Sequence, residues 1–457
     1  HVGADIGRIF RERNGLLMAD AASRHERDVG MPDFVRRLNV SLRPDADMVV
    51  LRPFRPSVEP EDKNPLSPNR IERIVSHVLS LTDAQRRRVW EGVLRGFSDR
   101  HIDIQSFFLR TFREIAEPYA DEVLLTIEEQ LLIGAYFSHE YSFQAAALFN
   151  PSLVPHPDQA QAGEGELRVV LSLRCVGEGH ISSICFRTGK VTADGDLILE
   201  EPHQHSMIAA SRAYGEDEDV HIHCEKDRPL DAAVLFPVTP AQSNGLEDLR
   251  LVRFEGRDGT QRYYGTYTAY SGHAIRSEML ETTDFRSFRM APLAGDAARN
   301  KGMALFPRRV NDRYAMIGRQ DNENLWLLRS NDMWTWSGGE ILLKPRFPWE
   351  FVQIGNCGSP IELDEGWLIL THGVGPVRNY SIGAFLVDKA DPSKVLARMK
   401  EPLLRPVGEE REGYVPNVVY TCGGLVHAGR LILPYAIADS VTTAVSMKVD
   451  DLLGAME

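Results

Sequence analysis

Five stretches of the chain repeat one shape, and that repetition limits the folds open to it. Residues 167–174, 263–270, 314–319, 367–372 and 431–439 are strand-forming runs, each ending on a polar or aromatic side chain. A second such run follows each after a polar gap, at 181–186, 274–280, 325–328, 382–387 and 442–449. Three of the second runs lead into turns that hold Asp284, Asp332 or Asp388. The units recur about every fifty to seventy residues, except for a longer first interval with an insertion around 195–235. A unit of this size cannot bury its apolar face alone and must stack on its neighbours. The pattern predicts a mainly β chain forming a five-bladed β-propeller. A β-sandwich with irregular loops is the alternative.

At 457 residues the chain is too long for one ordinary core. Ahead of the repeats, from residue 69 to about 136, apolar residues recur at three- and four-residue steps: Ile71, Ile74, Val75 and Val78, then Val89, Val93 and Leu94. The expected organisation is an N-terminal extension over 1–135, mostly helical, followed by a five-bladed catalytic domain over 136–457.

A net charge of -13 argues against a nucleic-acid surface or an anionic membrane as partner. Any anionic ligand must be held by local basic residues against the overall field. No apolar run approaches the roughly 18 residues needed to cross a bilayer. Arg8, Arg11, Arg13 and Asp20 interrupt the start where a signal peptide would be apolar. The five cysteines form no CxxC pair and no His/Asp spacing reads as a ligand set, so no metal is expected. The expectation is a reduced, cytoplasmic protein, with a homo-oligomer left open.

In the propeller reading, equivalent strand ends converge on one axis and bring together Arg174, Tyr270, Arg319, His372 and Asp439. Such a ring could bind a small polar anion through charge-assisted hydrogen bonds, beside a hydroxyl-rich ligand. Taken singly, each has a plainer role as a rim charge, a structural histidine or a core aromatic. A second candidate is Asn244-Gly245-Leu246-Glu247-Asp248-Leu249-Arg250, which opens the apolar run Leu251-Val252-Arg253-Phe254. Strand alternation would send Glu247 and Asp248 to opposite faces, with one carboxylate in a cleft as an acid or base. The other carboxylate could be held by Arg250, and an ordinary structural ion pair, Asp248 with Arg250, is the competing reading.

These motifs resemble glycoside hydrolase family 130, the β-mannoside phosphorylases and related β-mannosidases. The resembling residues are Phe149-Asn150-Pro151-Ser152, Arg174-Cys175-Val176-Gly177-Glu178-Gly179-His180 and Gly245-Leu246-Glu247-Asp248-Leu249-Arg250. Further on come Lys301, Phe306-Pro307, Arg319, Gly366-Trp367-Leu368, His372-Gly373, Tyr380 and Tyr435-Ala436-Ile437-Ala438-Asp439. Leu249 departs from the proline usual at its position. The resemblance spans roughly 140–457, and the helical segment is similar to an extension in some members that look like β-1,2-oligomannan phosphorylases.

The resemblance implies an inverting phosphorylase with Asp248 as sole general acid, acting through the mannose 3-hydroxyl. Inorganic phosphate would be the co-substrate, α-mannose 1-phosphate the product, and no cofactor would be needed. Lys301, Arg319, His372 and Tyr380 would hold phosphate. Asn150, Arg174 and Asp439 would contact the mannose, and Glu178 and His180, in a glycine-flanked loop, are further substrate-contact candidates. Asp439 could instead be a turn aspartate. The competing functions are a β-mannosidase of the same fold and a sugar-binding propeller without catalysis. A hydrolase needs a second carboxylate to activate water rather than a cationic set.

Overall fold

The computed structural model describes residues 30–57, 69–120, 124–214, 219–224 and 228–457. The sequence reading of residues 1–29 lies outside them.

Four helices form the early layer: α1 (Arg70–Leu79), α2 (Asp83–Phe97), α3 (Ile104–Thr111) and α4 (Ile127–Tyr136). Three start on capping boxes, Asn69/Glu72, Thr82/Gln85 and Thr126/Glu129, in which side chains satisfy the free amides of the first turn. Val75 and Val78 of α1 pack with Phe112, Ile115, Leu132 and Phe137, so the expected apolar stripes meet in one cluster.

The chain then runs through five antiparallel meanders. The first comprises Ala147–Pro155, Leu167–Val176, Ser182–Val191 and Leu197–Leu199. The second comprises Gly245–Glu255, Gln261–Tyr270, Ile275–Thr282 and Ser287–Pro292. Ala304–Leu305, Tyr314–Gly318, Leu325–Ser330 and Glu340–Leu343 make the third. Gln353–Asn356, Trp367–Val374, Tyr380–Val387 and Val395–Arg398 make the fourth. The fifth contains Val419–Tyr420, Arg430–Ile437 and Val441–Lys448, and its outer strand is Arg36–Arg37 from the start of the chain. That strand, and Val49–Pro53 paired with Ser138–Ser142, tie these early segments to the β region across the expected boundary at 135.

Period-two alternation explains how the meanders stack. Trp367 and Ile369 face the third meander, packing with Ile317 and Leu327, while Leu368 and Leu370 face the fifth, packing with Leu431 and Leu433. Ile432, one residue out of phase, packs with Leu171 and Leu173 of the first meander. Leu246 and Leu251 meet Val170 and Phe186, and Val252 and Phe254 meet Leu305 and Met316. Four apolar clusters therefore join consecutive meanders, and a further one joins the fifth back to the first. The insertion adds the hairpin Ala210–Tyr214/Asp219–His223 to the outer edge of the second meander, where Val220 pairs with Met290.

Candidate active site

A cavity of about 190 Å³ is lined by residues of all five meanders and their connections. It gathers Asn150, Arg174, Asp248, Arg250, Lys301, Arg319, His372, Arg378, Tyr380, Tyr420 and Asp439. A larger groove of about 570 Å³ on the insertion hairpin is wide open to solvent and lacks such a convergence of charge.

Two bulges shape the carboxylate side. The register slips between Phe149 and Ser152 in the first meander and between Glu247 and Arg250 in the second. Within them Asn150 (φ 50) and Asp248 (φ 58) adopt left-handed backbone, and both side chains line the cavity. Such conformations are costly for residues other than glycine and cluster at functional sites. The Asn150 Nδ2 donates to Asp248 Oδ1 at 2.6 Å. Arg174 donates to Asp248 Oδ1 at 3.1 Å, to Glu247 Oε1 at 2.8 Å and, through Nε, to Ser182 Oγ at 3.0 Å. Lys301 Nζ donates to Glu247 Oε2 at 2.8 Å.

This geometry corrects two expectations. The bulge cancels strand alternation, so Glu247 and Asp248 share Arg174 instead of facing apart. Arg250 also holds neither the Glu247 nor the Asp248 carboxylate. It donates to the Asp248 backbone carbonyl (2.9 Å), the Cys357 carbonyl (2.9 Å) and the Tyr420 hydroxyl (2.7 Å), and so holds the bulge by its main chain. Leu249, at the position of the expected proline, is buried over Gly265, where a Cβ would come within 2.6 Å of its side chain.

Burial alone would raise the pKa of Asp248, but Arg174, Arg250 and Lys301 outweigh it and hold the carboxyl well below the usual range. Asp439 goes the other way. Burial and the charge of Asp248 push it up to about 6, against the pull of Arg174 and Arg378. Like Asn150 and Asp248, Asp439 has left-handed backbone (φ 48).

Opposite lies a cation and ring assembly. His372 is 2% exposed, and its ring lies so close over Gly355 that a Cβ there would sit 2.4 Å from it. Burial, then Arg319 and Arg250, push its pKa well below 6.5. The imidazole is therefore neutral at physiological pH, and Arg319 is the cation of this assembly. Its ring stacks on Tyr380 at 5.7 Å and 13°, and its Nε2 lies 3.4 Å from Arg319 Nη1. The Gln353 amide, oriented with its oxygen toward Arg319, accepts from Nε at 3.2 Å.

Of the five strand-end residues, Arg174, Arg319, His372 and Asp439 line the cavity, and Tyr270 does not: its hydroxyl donates to the Gly272 carbonyl. Glu178 and His180 are exposed outside the lining, and His180 Nδ1 lies 2.7 Å from the Tyr414 hydroxyl. Arg378 was missed. A signal for it existed, because Gly375-Pro376-Val377-Arg378-Asn379 holds the same place in its hairpin as Gly177–Ile181 holds in the first meander.

Comparison with known proteins gives the class first. A family model described as beta-1,4-mannooligosaccharide phosphorylase matches residues 220–457, so the protein is an enzyme of the glycoside phosphorylase class. The chain belongs to glycoside hydrolase family 130. It is 34% identical to the 1,2-beta-oligomannan phosphorylase of Thermoanaerobacter sp. (strain X514), over 49% of this chain and 75% of that one. The beta-1,2-mannobiose phosphorylase of the same organism is 30% identical over 61% of this chain and 89% of its own. Among solved structures, the beta-1,2-mannobiose phosphorylase of Listeria innocua aligns with a TM-score of 0.51 at 21% identity, covering 69% of this chain and 92% of that one. No helix among the described residues is long and apolar enough to cross a membrane.

Proposed function

We propose that the enzyme is an inverting phosphorylase that transfers mannose from β-mannosides to inorganic phosphate, releasing α-mannose 1-phosphate. β-1,2-Linked manno-oligosaccharides are the favoured substrates, because the two Thermoanaerobacter relatives are named for β-1,2-linked oligomannan and mannobiose. The five meanders are read as blades of a propeller over 136–457, with the helical layer as an extension. Phosphate is the co-substrate and no cofactor is required. The free cysteines favour a reducing, cytoplasmic compartment.

The observation that carries this reading is the division of one cavity into a carboxylate side and a cationic side. Asn150, Arg174 and Asp439 would hold the terminal mannose. Arg319, the neutral His372 and Tyr380 would hold phosphate, with Lys301 between the two. Asp248 would protonate the leaving oxygen through the mannose 3-hydroxyl while phosphate attacks the anomeric carbon from the far side. An ionised Asp248 cannot give a proton. A bound phosphate dianion would offset the cations that hold its pKa down, so the acid becomes competent when the nucleophile arrives. Arg319 would supply charge-assisted bonds to the oxyanion.

One feature favours hydrolysis instead. Asp439 is a second carboxylate in the cavity and could activate water, as an inverting hydrolase requires. The test is to incubate the enzyme with β-1,2-mannobiose with and without inorganic phosphate. The expected result is α-mannose 1-phosphate formed only with phosphate. Free mannose released equally fast without it would select the hydrolase.

A further inference from the structure

Two hairpin tips, Gly177–Ile181 and Gly375–Asn379, follow the same backbone path, and the second contributes Arg378 to the cavity. Gly177 (φ -117, ψ -155) and Gly375 (φ -106, ψ -161) open them in extended geometry. Each tip then places two consecutive residues in the left-handed region: Gly179 (φ 68) and His180 (φ 57) in one, Val377 (φ 56) and Arg378 (φ 55) in the other. Glycine takes that conformation freely, whereas a β-branched residue is a genuine outlier there. Val377 is 90% exposed, so no buried contact of its own side chain offsets the strain. What the path achieves is to aim the next residue, Arg378, along the cavity wall.

Arg378 heads a continuous stack. Its guanidinium carbon lies 5.9 Å from the centre of the Tyr380 ring, Tyr380 stacks on His372, and His372 reaches Arg319. A cation at the mouth is thereby joined through two rings to a cation at the floor. No carbonyl or carboxylate accepts a hydrogen bond from Arg378 among the described residues, whereas Arg174, Arg250 and Lys301 are all engaged. Charge matching points the same way. Five lining cations, Arg174, Arg250, Lys301, Arg319 and Arg378, face three carboxylates, Glu247, Asp248 and Asp439. Two positive charges remain, which matches a phosphate dianion, and without Arg378 only one would.

We propose that Arg378 is the outer residue of the anion site, capturing inorganic phosphate at the mouth and passing it along Tyr380 and His372 to Arg319. The proposal rests on the phosphorylase reading. Initial rates of β-1,2-mannobiose phosphorolysis are measured for wild type, Arg378→Ala and Arg378→Lys, with phosphate and disaccharide varied in turn. Arg378→Ala is expected to raise the KM for phosphate about tenfold and that for disaccharide less than twofold, with Arg378→Lys in between. Wild-type kcat/KM for phosphate should fall more steeply with added NaCl than that of Arg378→Ala. An unchanged phosphate KM in a folded Arg378→Ala protein would overturn the proposal, as would a rise confined to the disaccharide. A wild type that ignores phosphate would instead sink the phosphorylase reading, so the two failures are distinct.

Discussion

On the side of the cavity built by the first and second meanders, each charged group holds a partner within the protein. Asp248 accepts from Asn150 and Arg174, and Glu247 accepts from Arg174 and Lys301. On the side built by the third and fourth meanders, hydrogen-bonding capacity is left over. His372 Nδ1 and both amide atoms of the buried Asn356 lack partners, and Arg378 reaches only a ring. Buried polar atoms are normally satisfied, and around the cavity the unpartnered ones concentrate on this side, with Asn150 Oδ1 the exception across from it. In the proposed function, one side is a preorganised carboxylate frame and the other is the receptor side, whose polar partners would arrive with the substrate.

The largest effect expected from breaking this asymmetry is on turnover. Asp248→Asn preserves the shape and the bonds from Asn150 and Arg174 but cannot deliver a comparable proton. kcat should fall about 10²–10⁴-fold with substrate binding retained. Steady-state rates together with disaccharide binding by calorimetry check this. Loss of binding in step with activity would reduce Asp248 to a structural element.

Glu247→Gln comes next. Alternation alone would make Glu247 a bystander, but the bulge makes it the tie between Arg174 and Lys301. Removing the charge leaves two part-buried cations with one carboxylate fewer. A loss of roughly tenfold to a hundredfold in kcat/KM is expected, about 1.4–2.8 kcal/mol. Glu247→Gln inactive beside a fully active Asp248→Asn would move the acid to the neighbouring carboxylate.

The same bulge marks where sequence reasoning stops. Runs such as Trp367–Val374 announce themselves by apolar alternation, because each face packs on a different neighbour. Four strand-end residues were therefore legible as a convergent set. Asn150 and Asp248 owe their orientation to register slips, which partner strands decide and local propensity does not. Tyr270 fits the strand-end pattern yet turns to its own hairpin carbonyl. The outer strand Arg36–Arg37 is too short for any period and pairs some four hundred residues away. His372 loses its charge to burial and to two arginines that are distant in sequence. Arg378 is legible only by setting its hairpin tip beside that of Gly177–Ile181, because a valine at positive φ is what propensity forbids.

The smallest effect should appear at Asp439, the one carboxylate of the frame with no hydrogen-bond partner among the described residues. Its pKa is about 6 in the folded protein, against 3.8 for an ordinary aspartate. Between these values the folded state holds more proton than the unfolded chain, so stability falls as pH rises through that window and levels off above it. Asn cannot titrate and escapes this loss. Asp439→Asn should match wild type near pH 4 and exceed it at pH 7.5 by about 1–2 kcal/mol, the full shift being discounted for partial exposure. Urea unfolding of both proteins at the two pH values tests this, because acid effects common to both cancel in the difference. A gap that stays the same at both pH values would mean that Asp439 is not held in its protonated form by burial and by Asp248. Excess phosphate should leave the gap at pH 7.5 nearly unchanged if phosphate binds on the receptor side, because it then stabilises both proteins about equally. A gap that instead widens by the full repulsion would put the phosphate against Asp439, and so on the mannose side of the cavity.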